Sequence, residues 1–107
     1  MSLAVRRNAL LIGAEALHNA ARHAGARHVI LGLRPEGRRF RLSVRDDGRG
    51  IGDALASGSS GGLGLENMQR RAHEIGATLS NGSPPGGGTE IVLLFDLRAQ
   101  DRRLRRL

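Results

Sequence analysis

Residues 39–45 alternate strictly between side chains that avoid water and side chains that seek it. Phe40, Leu42 and Val44 are each flanked by arginine or serine. Because successive side chains of a β-strand point to opposite faces, this alternation predicts a strand with one buried and one wet face. Such a strand needs neighbours beside it and a cover over its apolar face. The segment therefore predicts a sheet with a layer of helices on one side.

Two further segments have the three- and four-residue spacing of apolar residues that is typical of amphipathic helices. The first covers residues 5–24, with Gly25 as its stop, and the second is LGLENMQRRAHEIG, with Gly76 as its stop. We expect the buried stripe of the first helix to be Leu10, Ala14, Leu17, Ala21 and Ala24. On nearly the opposite side we expect Glu15, Asn19, Arg22 and His23. For the second helix the expected stripe is Leu65, Met68, Ala72 and Ile75.

Two hairpins complete the pattern. Residues 29–33 and 40–44 are predicted strands joined by a PEG turn. Residues 77–81 and 89–97 are predicted strands joined by a turn rich in glycine and proline. The order of helix, hairpin, loop, helix and hairpin predicts an α+β chain. We expect a two-layer α/β sandwich, in which helices cover one face of a mixed, mostly antiparallel sheet.

The chain has 107 residues, enough for one domain with a modest core. We expect residues 1–97 to form that domain and residues 98–107 to be a basic C-terminal tail. The absence of cysteine excludes disulfides and thiolate metal sites. No signal peptide is visible, and no apolar run has the roughly 18 residues that a membrane span needs. With no cysteine, we expect a reducing, cytoplasmic location for this fragment, and membrane anchoring of the parent protein stays open.

The net charge is +7, and all 17 basic residues are arginine. A basic chain suggests a nucleic acid, an acidic membrane or a phosphate as its ligand, although a coding bias toward arginine produces the same charge. Proteins that bind nucleic acid usually add aromatic platforms, and this chain has two Phe, no Tyr and no Trp. A basic nucleic-acid-binding module stays open as an alternative that only the charge favours.

A loop rich in glycine and serine, residues 47–62, leads from the first hairpin to the second helix, and we expect it to be mobile. Its GGLGL end offers unhindered backbone N–H groups at a helix start, which is what an anionic phosphate binds. Asp46 offers an acceptor for the amino group of a purine, and Asn19 and Glu15 offer oxygens that suit Mg²⁺. Since the chain has no lysine, a P-loop is excluded. The combination suggests an ATP site with a lid.

Four segments occur in a specific order and spacing: EALHNAARHA (15–24), DDGRGI (46–51), GLGLENMQRRA (62–72) and GGGTEI (86–91). This arrangement resembles the ATP-binding catalytic domain of sensor histidine kinases. That domain has the Bergerat fold, shared with DNA gyrase, a heat-shock chaperone and the mismatch-repair protein MutL. The resemblance covers roughly residues 8–97, and the run from GLGLENMQRR onward is similar to the nitrate-sensor or DesK-like branch.

The resemblance implies roles for the matching positions. Asn19 would coordinate Mg²⁺ on the ATP phosphates, and Glu15 would be a catalytic carboxylate near the metal, acting as a base or as a polarising group. Asp46 would accept a hydrogen bond from the adenine amino group, Thr89 would bond toward the adenine pocket, and Asp47 would be a solvated or capping neighbour. The other nucleotide-binding positions would be Arg22, His23, Gly48, Gly50, Gly62, Leu63, Gly64 and Leu65.

The family reaction transfers the γ-phosphoryl group of ATP to a histidine on a separate dimerisation domain, and then to an aspartate on a response regulator. The resemblance thus implies ATP and Mg²⁺ as cofactors. As partners it implies a dimerisation domain of the same parent protein and a response regulator, without nucleic acid and without membrane contact by this fragment. Since no acceptor helix precedes the first segment, we expect the chain to bind ATP without phosphorylating itself. A stand-alone serine kinase that acts as an anti-sigma factor shares the fold and stays open as an alternative.

Overall fold

The computed structural model describes residues 2–22, 25–48 and 64–98. The elements, in chain order, are α1 (Leu3–Arg22), β1 (Val29–Glu36), β2 (Arg39–Asp46), α2 (Leu65–Glu74), β3 (Thr78–Gly82) and β4 (Thr89–Phe95). The predicted order of helices and hairpins is confirmed. The first helix begins earlier than expected, the strands of the first hairpin are longer, and the last strand ends earlier.

The described strands form one antiparallel sheet in the order β1-β2-β4-β3. β4, with the sequence TEIVLLF, lies inside the sheet because it is apolar at nearly every position. The register of the central strands pairs Phe40 with Phe95, Leu42 with Leu93 and Val44 with Ile91. All six of these side chains belong to or pack against one apolar cluster. The alternation in residues 39–45 therefore identifies the core face correctly.

Both helices pack on this apolar face, which confirms the predicted two-layer sandwich. α1 contacts β2, β4 and α2, and α2 contacts β3. The stripe predicted for α2 is confirmed, since Met68, Ala72 and Ile75 are buried and Leu65 packs against the same cluster. Gly76 ends this helix with a φ of 64°, a left-handed conformation that glycine adopts readily.

The stripe predicted for α1 is wrong. Leu10 and Leu17 are 66% and 39% exposed, Ala14 and Ala21 are exposed as well, and Ala24 lies outside the described residues. The apolar side chains of α1 that enter the core are Val5, Ala9, Ile12, Ala16 and Ala20. Both sets step by three or four residues and stand one residue apart, which rotates them by about 100° around the helix. Periodicity alone fits both stripes, and only packing against the sheet selects one.

The exposed stripe of α1, which was predicted to be buried, faces an open groove beside the edge strand β1. The groove has a volume of about 310 Å³ and an apolar lining that includes Leu10, Leu17, Leu31, Leu33, Leu42 and Phe95. Among the described residues, every large hydrophobic side chain that is exposed lies on α1 or β1. None of the described helices has the length and hydropathy that crossing a membrane requires.

Asn8 joins the two helices through a buried polar contact. Its side-chain amide donates hydrogen bonds to the carbonyl oxygen of Arg71 at 2.9 Å and to Oε2 of Glu74 at 3.0 Å. Because a buried amide that lost these partners would cost free energy, the contact favours one position of α2 along α1.

Candidate functional site

Four polar side chains are buried in the part of the chain that the structure describes: Asn8, Asn19, Asp46 and Thr89, which are 0, 6, 7 and 5% exposed. Asn8 is accounted for by its bonds to α2. The other three are positions that the sequence predicts to bind Mg²⁺ or adenine. Burying polar groups costs free energy, so the burial of all three makes these positions candidates for binding a polar ligand.

Asp46 and Thr89 meet at one end of the sheet. Asp46 is the last residue of β2, Thr89 is the first of β4, and the two are direct partners across the ladder. Oδ1 of Asp46 accepts a hydrogen bond from the backbone N–H of Gly48 at 2.8 Å. The fold therefore brings together three of the predicted adenine-binding positions. A buried carboxylate beside a hydroxyl provides acceptors for an amino group.

Gly88 permits a close backbone approach at this site. Its φ is 89°, and a Cβ there would overlap the carbonyl oxygen of Asp46 and lie 2.9 Å from the carbonyl carbon. Only glycine fits this position without moving Asp46. Gly88 was not among the predicted site residues. The run of three glycines before the strand was the available signal, but the approach to Asp46 depends on the tertiary fold.

Glu15 and Gly64 approach each other from α1 and from the start of α2. Gly64 is the N-cap of α2, with a φ of 67° and no side-chain cap. A Cβ on Gly64 would meet the carboxylate of Glu15, whose Cδ would lie 2.7 Å away. Since a helix N-terminus carries partial positive charge, it attracts this carboxylate and would equally attract a phosphate. The predicted catalytic carboxylate and a predicted phosphate-binding glycine are thus adjacent, and Leu65 packs α2 onto the core beside them.

Asn19 and Arg22 lie on the last turn of α1, one turn after Glu15. Asn19 is buried, so the expectation that it points away from the core side of the helix is wrong; it borders the buried stripe that was not foreseen. Arg22 is exposed, and its Nη1 lies 3.4 Å from Nε2 of His18. Amide and carboxylate oxygens suit Mg²⁺, which commonly takes one or two protein ligands beside phosphates. The described residues contain no cluster of three or more His, Cys, Asp or Glu that would hold a metal alone.

Asp47 caps the connection between α1 and β1, which agrees with its expected role as a solvated or capping neighbour of Asp46. Oδ1 accepts hydrogen bonds from the backbone N–H groups of Arg27 at 2.9 Å and His28 at 3.0 Å, and Oδ2 lies 2.8 Å from Nδ1 of His28. The backbone N–H of His28, then its ring, lower the pKa of Asp47 to about 2. This clamp joins segments some 20 residues apart, so the sequence offered no local signal for it.

Four predicted site residues lie outside the described residues: His23, Gly50, Gly62 and Leu63. Residues 49–62 of the predicted lid and residues 99–107 of the predicted tail lie outside them as well. Their roles stay predictions.

Residues 5–99 match the family model for histidine kinase-, DNA gyrase B-, and HSP90-like ATPases. The sensor histidine kinase MctS of Rhizobium johnstonii is 44% identical over 78 residues, which cover 70% of this chain and 17% of that protein. The nitrate/nitrite sensor protein NarQ of Escherichia coli is 36% identical over 83 residues, which cover 76% of this chain and 14% of NarQ. The chain therefore spans less than a fifth of the length of these two relatives.

Solved structures of histidine kinases share the fold. The histidine kinase domain of a blue-light activated histidine kinase from Erythrobacter litoralis has a TM-score of 0.68 at 28% identity, covering 84% of this chain and 43% of that one. The ATP binding domain of PrrB from Mycobacterium tuberculosis has a TM-score of 0.68 at 27% identity, covering 84% and 67%. The family match, the fold and the buried polar positions agree, and the chain belongs to the histidine kinase-, DNA gyrase B- and HSP90-like ATPases as an ATP-binding domain of the histidine kinase type.

Proposed function

We propose that this chain binds ATP with Mg²⁺ and donates the γ-phosphoryl group to a histidine on a separate dimerisation domain of its parent protein. The observation that carries the proposal is the burial of Asp46 beside Thr89, with Gly88 packed against the Asp46 backbone. In this proposal Asp46 accepts a hydrogen bond from the adenine amino group. Thr89 bonds toward the same pocket, and Gly48 leaves room beside the base.

The phosphate end of the site is formed by the two helix ends. Asn19 would hold Mg²⁺, which when bound neutralises charge on the phosphates. Glu15 would polarise the incoming acceptor, and Arg22 would add a positive charge at the exposed end of α1. Gly64 and Leu65 would present the backbone N–H groups at the start of α2 to the phosphates.

The rest of the parent protein would supply the acceptor histidine, and a response regulator would receive the phosphoryl group. The similarity to NarQ and the GLGLENMQRRAHEIG run support a place in the nitrate-sensor or DesK-like branch. Residues 1–97 would form the catalytic domain, residues 98–107 its basic tail, and the site would face the cytoplasm, where ATP is available.

Titration calorimetry with Mg-ATP tests the nucleotide site. Asp46→Asn should abolish measurable binding, because an amide nitrogen would replace or compete with the acceptor oxygen. Asn19→Ala should mainly remove the dependence of affinity on magnesium. The matched control is Asp96→Asn, since Asp96 follows the opposite end of β4 from Thr89 and, among the described residues, accepts a local hydrogen bond from Arg98 N–H at 2.8 Å. Equal affinity in all four proteins would contradict the assignment.

The chemistry of the phosphorylated product distinguishes a histidine kinase from a serine kinase of the anti-sigma type. In the parent protein, labelled γ-phosphate should appear on histidine, in a linkage that acid cleaves and alkali does not. An acid-stable phosphoserine on a partner protein would instead support the anti-sigma type of serine kinase.

A further inference from the structure

We infer that Asp47 and His28 form a positioning pair that orients the carboxylate of Asp46 toward the amino group of adenine. The pair thereby controls how strongly the site prefers ATP over a purine nucleoside triphosphate that lacks this amino group. The inference rests on the proposed function, and it adds two residues that the predicted site does not contain. Its evidence is the set of hydrogen bonds that ties the α1–β1 connection to the end of β2.

Asp46 stands at the point where the chain leaves the sheet. It pairs with Val29 of β1 on one side and with Thr89 of β4 on the other. One backbone hydrogen bond continues the β1–β2 ladder past this point, from Asp47 N–H to the carbonyl oxygen of His28 at 3.3 Å. A bond of that length is weak, so it would not by itself hold the backbone after Asp46 in one orientation.

The side chain of Asp47 supplies the missing constraint. Its carboxylate makes three contacts, with both backbone N–H groups of residues 27–28 and with the ring of His28. An ionised carboxylate only accepts, so His28 carries a proton on Nδ1 in this contact. The side chains of His28 and Asp47 are 81% and 47% exposed, so the pair adds little to global stability. What it fixes is the orientation of the peptide that links Asp46 to Asp47.

The orientation of this peptide controls where the carboxylate oxygens of Asp46 lie. Gly88 packs against the Asp46 carbonyl from the β4 side, and the side chain of Asp47, the next residue, is bonded to residues 27–28 beside β1. Oδ1 of Asp46 is itself bonded to Gly48 N–H, two residues along the same turn. If the clamp opens, the turn can move, and the carboxylate moves with it. A hydrogen bond to adenine depends on placement more than the triphosphate contacts do, because charge attraction falls slowly with distance.

Calorimetry with Mg-ATP and Mg-ITP tests this inference, because inosine has an oxygen where adenosine has the amino group. We expect the preference for ATP to fall about tenfold in Asp47→Ala, the equivalent of one hydrogen bond. In His28→Ala, which leaves both backbone bonds in place, we expect a fall of about threefold. Asp96→Ala removes a carboxylate just past the far end of β4 that accepts a hydrogen bond from Arg98 N–H, and it should leave the preference unchanged.

Three comparisons keep the outcome clear. Asp47→Asn keeps one acceptor oxygen and should retain most of the preference; if Asp47→Ala does not fold, Asp47→Asn and His28→Ala decide. A purely structural role would lower the urea midpoint and weaken both nucleotides alike, and an unchanged ratio in folded variants overturns the inference. Wild-type protein that binds neither nucleotide, or both equally, contradicts the proposed function and the inference together. Wild-type preference that survives in the variants contradicts the inference alone.

Discussion

The two surfaces that flank α1 reverse the usual relation between polarity and burial. Asp46 and Thr89 at the end of the sheet, and Asn19 on the last turn of α1, are polar and buried. Along the groove beside β1, leucines such as Leu31 and Leu33 are apolar and exposed. Folding alone favours neither arrangement. The proposed nucleotide would account for the polar end, whereas the groove shows that a large part of the apolar surface of α1 and β1 contributes little to the core of this chain.

The largest expected effect is on the free energy of unfolding, and it compares a leucine in the core with a leucine in the groove. Leu33 and Leu93 are the two register partners of Leu42, on opposite sides of the same strand. Leu93 is 1% exposed and Leu33 is 63% exposed. Leu93→Ala should lower the free energy of unfolding by about 2–5 kcal/mol, because it leaves a cavity. Leu33→Ala should lower it by about 0.5 kcal/mol or less, as surface substitutions usually do.

Urea unfolding followed by circular dichroism measures both values. Similar losses for the two leucines would show that the groove is covered in solution, for instance by self-association, which sedimentation at two concentrations would reveal. The contrast between the two surfaces would then be wrong for the chain in solution.

A second test breaks the close approach at the polar end. Gly87 and Gly88 have similar φ values of 96° and 89°, so alanine suffers comparable backbone strain at both positions, about 1–3 kcal/mol. A Cβ at Gly87 meets nothing within 4 Å, whereas one at Gly88 collides with the Asp46 backbone. Gly88→Ala should therefore abolish ATP binding in calorimetry, while Gly87→Ala keeps it. Loss of binding in both variants would show that strain in the turn, and not contact with Asp46, is responsible.

The smallest expected effect concerns acid. The pKa of Asp47 is lowered from 3.8 to about 2 by its bonds to His28 and Arg27, so the ionised carboxylate stabilises the folded state above pH 4. That contribution should fade as pH falls from about 4 toward 2. The difference in urea midpoint between wild type and Asp47→Asn should narrow over this range. A difference that stays constant from pH 6 to pH 2 would exclude the lowered pKa.

The sequence pattern was sufficient to predict the buried face of an element where polar residues clearly separate the apolar ones. The arginines between Phe40, Leu42 and Val44 identify the core side of β2, and Gly76 marks the end of α2. In α1 the contrast is missing, because apolar residues continue around the helix from the buried stripe to the exposed one. The choice between the stripes depends on how the helix sits on the sheet, which no spacing in the sequence encodes.

The candidate site divides in the same way. Asn19, Asp46 and Thr89 could be singled out because each lies in a segment with a recognisable pattern; the fold buries all three, and their binding roles stay predictions. Gly88 and Asp47 make their contacts with residues distant in sequence, so their positions in the segments gave no indication of their partners. Sequence patterns reveal least about residues that contact the candidate site residues only through the tertiary fold.

Amide chemical shifts during a titration with Mg-ATP test the central claim most directly, because both surfaces beside α1 are observed in one experiment. A nucleotide bound by the buried polar residues should shift the amide signals of Gly48, Gly88 and Thr89 and leave those of Leu31 and Leu33 in place. Shifts centred on Leu31 and Leu33, with the three site amides unchanged at saturating nucleotide, would contradict it.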